Sequence, residues 1–390
     1  MKLIKVRPLD KNYLENMGFS WHTDSDGSDY LSDELIQINT QEANSYYEAA
    51  NELYDMFVNA AQYVIDNDKF DELKIPFNLI DIIKLSWEND VHWHLYGRFD
   101  LAGGLDGKDI KLIEFNADTP TSLFESAILQ WALLKQNGFD ESLQFNTLYE
   151  SLLNNFKRLI TLDENINDFK KYYQGWKILF SSIAGSDEDE ITTKFLQYIA
   201  KEAGFDTKFC YVDEVEFSDE GIFKDNINYE YWFKLIPWEN IAIEESDLAV
   251  ILTQIIKNQK AIILNPAYTL LFQSKGILKI LWELYPNHPL LLECSNSPLK
   301  NKKCVKKPLF GREGANISII EKDGKISLNN DGIYTNNGFV YQEFVEFNNI
   351  NNQNYQAGVF FAYEACALGF RKGGIIIDNF SKFVGHIIKD

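Results

Sequence analysis

Between Gln41 and about Asp66 the apolar residues Tyr46, Tyr47, Ala50, Leu53, Tyr54, Phe57, Val58, Ala61, Val64 and Ile65 recur at spacings of three and four. That period predicts an amphipathic helix with one buried face, and Thr40 stands where its cap belongs. From His94 to Leu101 and from Ile110 to Asn116 the pattern shortens to two strand-like runs. The turn-rich GGLDGKD, Gly103 to Asp109, joins them, which predicts an antiparallel hairpin. Between Trp176 and about Trp282 short apolar runs alternate with helical patterns. WKILFSSI from Trp176, TKFCYV from Thr207, YWFKLI from Tyr231 and AIIL from Ala261 read as strands, with room for crossover helices between them. Strand and helix in series predict a parallel sheet with covered faces. After Asn301 come short runs, VYQEFVEF, QAGVFFAYEA and GIIID, broken by Gly and Asn turns as in an α+β antiparallel domain. The Asn-rich stretch from Asn348 to Asn354 reads as a turn, and no period of roughly 20 to 50 residues repeats.

Composition narrows the class. A chain of 390 residues has room for two or three domains, and 45% hydrophobic with 14% aromatic content is that of a folded protein. Asp and Glu number 58 against 37 Lys and Arg, a formal charge of −21, so duplex nucleic acid and anionic membranes would repel it. The N-terminus MKLIKVRPLD has no apolar run behind its lysines, and no stretch reaches the roughly 18 to 20 apolar residues of a membrane span. The four cysteines (Cys210, Cys294, Cys304, Cys366) form no CxxC and no metal-ligand spacing. They read as reduced, buried cysteines of a cytoplasmic protein.

The candidate chemistry is concentrated in four places. Residues i and i+2 of a strand share a face, so Arg98 goes with Asp100 and Glu114 with Asn116. If the two faces coincide, one cation, two carboxylates and an amide oxygen converge, a hard-oxygen set suited to Mg²⁺. A solvated face with its charges paired across it is the alternative. The loop that follows, Asp118 to Ser122, supplies hydroxyls where substrate contacts are common. Second, Lys306 to Asn316 contains Gly311 and Gly314, which let backbone amides approach phosphate oxygens, with Lys307 and Arg312 supplying charge. It is neither a P-loop nor a dinucleotide fingerprint, and a plain β-turn is the alternative. From Pro298 to Arg312 the chain carries Lys300, Lys302, Lys303, Lys306, Lys307 and Arg312 with no acid among them, a local positive field. Third, Arg371 at a strand end could stabilise a transferring phosphoryl group, or be an exposed turn arginine. Fourth, the acids Asp187 to Glu190 open a helix, where the macrodipole alone favours them, yet they also follow a parallel strand, where open α/β sheets bind ligands. His92 and His94 have no third ligand nearby and read as structural histidines.

In order along nearly the whole chain, several strings resemble the glutathionylspermidine synthetase-like branch of the ATP-grasp ligases. They are YGRFDL at Tyr96, IEFNADTPTS at Ile113, DEDE before a helix, KGIL at Lys275, KPLFGREGAN at Lys307, YQE at Tyr341 and NFSKFVGH near the C-terminus. The resemblance implies a permuted ATP-grasp fold, α/β and α+β, with a preATP-grasp Rossmann-like parallel sheet. Residues 1–170 would carry the metal and substrate strands and pack with the C-terminal region. Residues 171–298 would form the preATP-grasp domain and 299–390 the nucleotide-binding region.

It also implies an ATP- and Mg²⁺-dependent carboxylate-amine ligase that works through an acyl phosphate. Asp100, Glu114 and Asn116 would hold Mg²⁺. Lys275, Lys307, Gly311, Arg312 and Gly314 would hold ATP phosphates, and Gln342, Glu343, Phe344 and Val345 would line the adenine pocket. Arg98 would face the substrate carboxylate or its phosphate, and Arg371 would stabilise the acyl-phosphate transition state. Thr119 and Thr121 would bind the acid, and Glu188 and Asp189 would lie toward the thiol-peptide or polyamine. Relatives with an amidase domain carry a catalytic cysteine that has no counterpart before Cys210, so the expectation is a stand-alone ligase. Glutathione and spermidine are the named acid and amine, and a homodimer is compatible with the reading. The alternative is a regulatory or scaffold protein that keeps the ATP pocket without turnover.

Overall fold

The computed structural model describes residues 1–161, 163–334 and 338–390. Its largest sheet has eight strands and is assembled from both ends of the chain. Across it run Lys2–Lys5, Leu31–Ile38, Lys382–Ile388, Glu364–Gly373, Gln353–Ala362, Gly97–Ala102 and Lys111–Asn116, with Asn348–Ile350 attached to Gln353–Ala362. The neighbours are antiparallel except Leu31–Ile38 with Lys382–Ile388, so the sheet is mixed. The Asn-rich turn is a two-residue hairpin connection in which Asn351 and Asn352 both have positive φ, a conformation that asparagine tolerates.

The predicted long helix is Thr40–Asp66, with Tyr46, Ala50, Leu53, Phe57, Ala61 and Val64 buried along one face. Its cap is Asn39 rather than Thr40. The Asn39 side chain accepts from the Glu42 amide and the Glu42 carboxylate accepts from the Asn39 amide. The Thr40 hydroxyl is engaged elsewhere, donating to Asp390 at 2.9 Å.

The parallel sheet runs Ile262–Leu264, Tyr231–Lys234, Lys177–Ser182 and Asp206–Tyr211, every pair parallel. Helix Asp187–Ala203 makes the first crossover, and helices Trp238–Glu244 and Ser246–Lys257 make the last. The middle connection departs from expectation. In place of a helix, Glu216–Ser218, Gly221–Lys224 and Ile227–Tyr229 form a three-stranded antiparallel ribbon. Its second turn places Asp225 and Asn226 at positive φ, which interrupts any helical run.

A five-stranded antiparallel sheet, Cys294–Ser295, Phe339–Glu343, Cys304–Pro308, Ser318–Ile320 and Ile326–Asn329, completes the layers. GIIID, read as a strand, is a loop after Glu364–Gly373. Arg371 donates to the carbonyls of Asp378 (2.8 Å) and Ser381 (3.1 Å), so these acceptors serve a side chain and not a neighbouring strand. The four cysteines are buried and free of disulfides. Among the described residues no helix is long and apolar enough to cross a membrane.

Candidate active site

The hairpin Gly97–Ala102 with Lys111–Asn116 sets the site. Phe99 and Phe115 alternate with its polar residues and stack at 3.8 Å on one face, packing against Phe57 of the long helix. Burying those rings turns the other face, and its charges, the opposite way. The register sets Arg98 against Asn116 and Asp100 against Glu114, so the two polar faces coincide.

That face forms one wall of a cavity of about 350 Å³. The five-stranded sheet, the glycine loop and the carboxyl ends of the parallel strands supply the other walls. Every residue to which the resemblance gives a site role lines this cavity except Glu188: Arg98, Asp100, Glu114, Asn116, Thr119, Thr121, Asp189, Lys275, Lys307, Gly311, Arg312, Gly314, Gln342, Glu343, Phe344, Val345 and Arg371. Their separations in sequence are long, and the sheet topology closes them.

Arg98 grips Asp100 through two bonds (Nε to Oδ1 2.7 Å, Nη2 to Oδ2 3.1 Å) and donates a third to the Thr121 carbonyl at 2.7 Å. Asn116 donates to Asp100 Oδ2 at 3.2 Å. Glu114 pairs with Lys275 at 3.1 Å, and Lys275 also donates to the Gly311 carbonyl at 2.7 Å. Burial opposes the charge on Glu114, but Lys275, Lys307 and Arg98 outweigh it and hold its pKa below the ordinary value. Lys307 donates to Gln342 Oε1 (2.7 Å) and the Ile113 carbonyl (3.2 Å), both neutral acceptors. Burial pushes its pKa down to about 8, with Glu114 acting against the shift and Lys275 adding to it. At Gly314, φ is +69° and a Cβ would stand 2.8 Å from the Ile377 carbonyl oxygen, so glycine is required where this loop meets Ile377.

The positive field expected from Pro298 to Arg312 is largely answered within the fold. Lys302 pairs with Glu293 (2.8 Å) and Glu343 (3.0 Å), Lys303 with Glu321 (2.8 Å), and Arg312 with Glu239 (2.6 Å). The acids sit on neighbouring elements, invisible to a local charge count. Lys275 and Lys307 are the buried lysines of the cavity, beside the buried Arg98. Glu188 lies off the cavity, where burial, then Glu125 and Asp189, push its pKa up to about 8. His92 and His94 are both buried, and His94 Nε2 lies 3.0 Å from the Ala117 carbonyl while its ring stacks on Tyr54. Neither binds with a third ligand, since no group of three or more His, Cys, Asp or Glu is placed to hold a metal among the described residues.

The residues that sequence reasoning passed over are Asp118, Lys234, Glu239, Asn265 and Gln273. Lys234 did carry a signal. It is a lone charge inside YWFKLI, a run otherwise apolar enough for a parallel strand buried on both faces, and such a lysine requires a partner.

Comparison with known proteins accords with this geometry. The glutathionylspermidine synthase preATP-grasp family model matches residues 1–389. A Haemophilus influenzae protein named as an acid–amine ligase is 31% identical over 402 aligned residues, covering 98% of this chain and 97% of that protein. The bifunctional glutathionylspermidine synthetase/amidase of Escherichia coli is 24% identical over 373 residues, 85% of this chain but 57% of that longer protein. Trypanothione synthetase of Crithidia fasciculata is 22% identical over 315 residues, 75% of this chain and 46% of its own length. Among solved structures, a glutathione synthetase-like effector from Globodera pallida superposes with a TM-score of 0.59 over 99% of this chain and 100% of its own, at 10% identity, a likeness of fold.

Proposed function

The chain belongs to the glutathionylspermidine synthase preATP-grasp family, and on that footing we propose that it joins a peptide-like carboxylic acid, such as glutathione, to an amine, such as spermidine, through an acyl phosphate. It is an ATP-dependent carbon–nitrogen ligase. A carboxylate is a poor electrophile, and phosphorylation by ATP turns one oxygen into a leaving group. The amine nitrogen then forms the C–N bond as the C–O bond to phosphate breaks, releasing phosphate beside the ADP already formed.

The observation that carries this reading is the charge balance of one cavity. Lys275 and Lys307, both buried, face the Asp100, Glu114 and Asn116 cluster, and the hydrogen bonds of Lys307 end on neutral atoms. A polyphosphate would supply the missing counter-charge. Two carboxylates and an amide on one face, with Glu114 held ionised, are a hard-oxygen donor set that fits Mg²⁺. Asp100, Glu114 and Asn116 would hold the ion, which when bound neutralises phosphate charge. Arg98, fixed by Asp100 and the Thr121 carbonyl, would orient the acid's carboxylate, with Thr119 and Thr121 beside it. Arg371 lines the cavity with its Nη2 held by two carbonyls, and its guanidinium would stabilise charge that develops on the phosphoryl group. Gln342, Glu343, Phe344 and Val345 would border the adenine, and Asp189 would face the amine.

The test is ADP release from Mg-ATP, with the product weighed by mass spectrometry. ADP formation that requires both an acid and an amine, with a product lighter by one water than their sum, is expected. Binding of Mg-ATP without ADP release on any peptide and amine pair would sink the reading.

A further inference from the structure

The segment from Ala117 to Ser122 leaves the site hairpin and presents Thr119 and Thr121 to the cavity. A loop this close to an aqueous cavity would ordinarily satisfy its backbone with water. Here side chains from elsewhere take that role. Gln273 Oε1 accepts from the amides of Ala117 (3.0 Å) and Asp118 (3.3 Å), and Asn265 Nδ2 donates to the carbonyls of Ala117 (3.1 Å) and Asp118 (3.0 Å). Tyr96 donates to the Pro120 carbonyl at 3.3 Å and Arg98 to that of Thr121 at 2.7 Å.

Beneath the loop lies an ion pair with no solvent exposure on either side chain. Lys234 Nζ meets Asp118 Oδ1 at 2.9 Å, and Asp118 Oδ2 accepts from the Trp238 amide at 2.8 Å. Lys234 also donates to the Ile236 carbonyl at 2.7 Å and sits 4.5 Å over the Trp238 ring. It closes the strand Tyr231–Lys234, at the end of a parallel sheet where ligands bind. Neither Lys234 nor Asp118 lines the cavity.

A pair so completely withdrawn from water is a poor source of stability, because desolvation consumes most of the attraction and an apolar pair of similar shape would serve. What it does give is direction: a carboxylate fixed by a lysine and a backbone amide cannot turn. We infer that Lys234 and Asp118 are positioning residues for the acid substrate, tying the threonine loop to the parallel sheet so that Thr119, Thr121 and the Arg98 that bonds Thr121 meet the reacting carboxylate at a set height. This rests on the ligase reading above.

The variant to make is Lys234→Met with Asp118→Asn, since Lys234→Met alone strands a buried carboxylate and risks the fold. With glutathione, spermidine and Mg-ATP, kcat/KM for glutathione is expected to fall roughly 100-fold, the size of an ångström-scale misplacement, while the calorimetric Kd of Mg-ATP moves less than about two-fold. Equal losses in both, an unchanged kcat/KM for glutathione, or a double variant that does not fold would each overturn the positioning role. Should the parent itself fail to turn over glutathione and spermidine, that pair is not its substrate, and amide hydrogen exchange of the same two proteins decides the loop. Exchange at Ala117–Ser122 at least about ten-fold faster in the double variant, with the mixed-sheet strands unchanged, supports the tether. Unaltered exchange there overturns it.

Discussion

Lys234 and Lys307 are both buried lysines whose pKa burial pushes down, and both stand on sheet strands, Lys307 lining the cavity and Lys234 set off it. They differ in what answers the charge. Lys234 has a carboxylate, a carbonyl and an aromatic face arranged around it, and the Asp118 it neutralises is held from its other side by a backbone amide. Lys307 has a glutamine oxygen and a carbonyl, with Glu114 pulling at it while leaning on Lys275 instead. A buried cation that is completed internally holds the architecture. One that is left partly unanswered at a cavity wall is prepared for an anion from outside.

That contrast can be broken by experiment. The largest effect is expected at Lys307→Met, which should cut amine-dependent ADP release by at least ~10³-fold, as for other cations on a transferring phosphoryl group. Its fold should survive, as read by circular dichroism, because no carboxylate depends on it alone. Lys234→Met, by contrast, should lower stability in urea by about 3–5 kcal/mol, the usual consequence of stranding a buried charge. Equal destabilisation by the two substitutions would erase the distinction. Next comes pH. The unfolded chain keeps a lysine protonated up to an ordinary value near 10.5, whereas folded Lys307 releases its proton near 8. Between those values the unfolded state holds more protons, so the contribution of this group to stability increases as pH climbs through that window, and the penalty for burying its charge applies below it. Phosphate binding runs the other way: Mg-ATP affinity should be about ten-fold weaker at pH 9 than at pH 7, a slope that Lys307→Met removes. The smallest effect belongs to Lys302, part-exposed and tied to Glu293 and Glu343. Lys302→Ala should change stability by less than about 1 kcal/mol and leave Mg-ATP affinity where it was.

The pattern of the chain exposed much of this. Tyr231–Lys234 and its parallel partners follow from short apolar runs between helical ones, and the hairpin from two runs about a Gly-Gly and Asp-Gly turn. What escaped were features whose cause lies far along the chain. Asp118 and Lys234 are 116 residues apart, and neither neighbourhood names the other. The lysine-rich stretch after Pro298 looked like a field because its acids, Glu239, Glu293, Glu321 and Glu343, arrive from other elements. The loop at Gly374–Asp378 has the composition of a strand, yet Arg371 occupies the carbonyls around it.

The order of strands in the mixed sheet bears on how the protein is made. Lys382–Ile388, translated after every other strand of the described residues, lies inside the sheet between Leu31–Ile38 and Glu364–Gly373, and the site hairpin docks on Gln353–Ala362. The hairpin that bears Asp100 and Glu114 is therefore translated long before the strand it must join, and waits with an open edge and its charges unplaced. For much of its synthesis the nascent chain carries Arg98, Asp100, Glu114 and Asn116 without the strand that places them. A ribosome that stops before Lys382 would release a polypeptide lacking an interior strand, a natural client for chaperones and proteases.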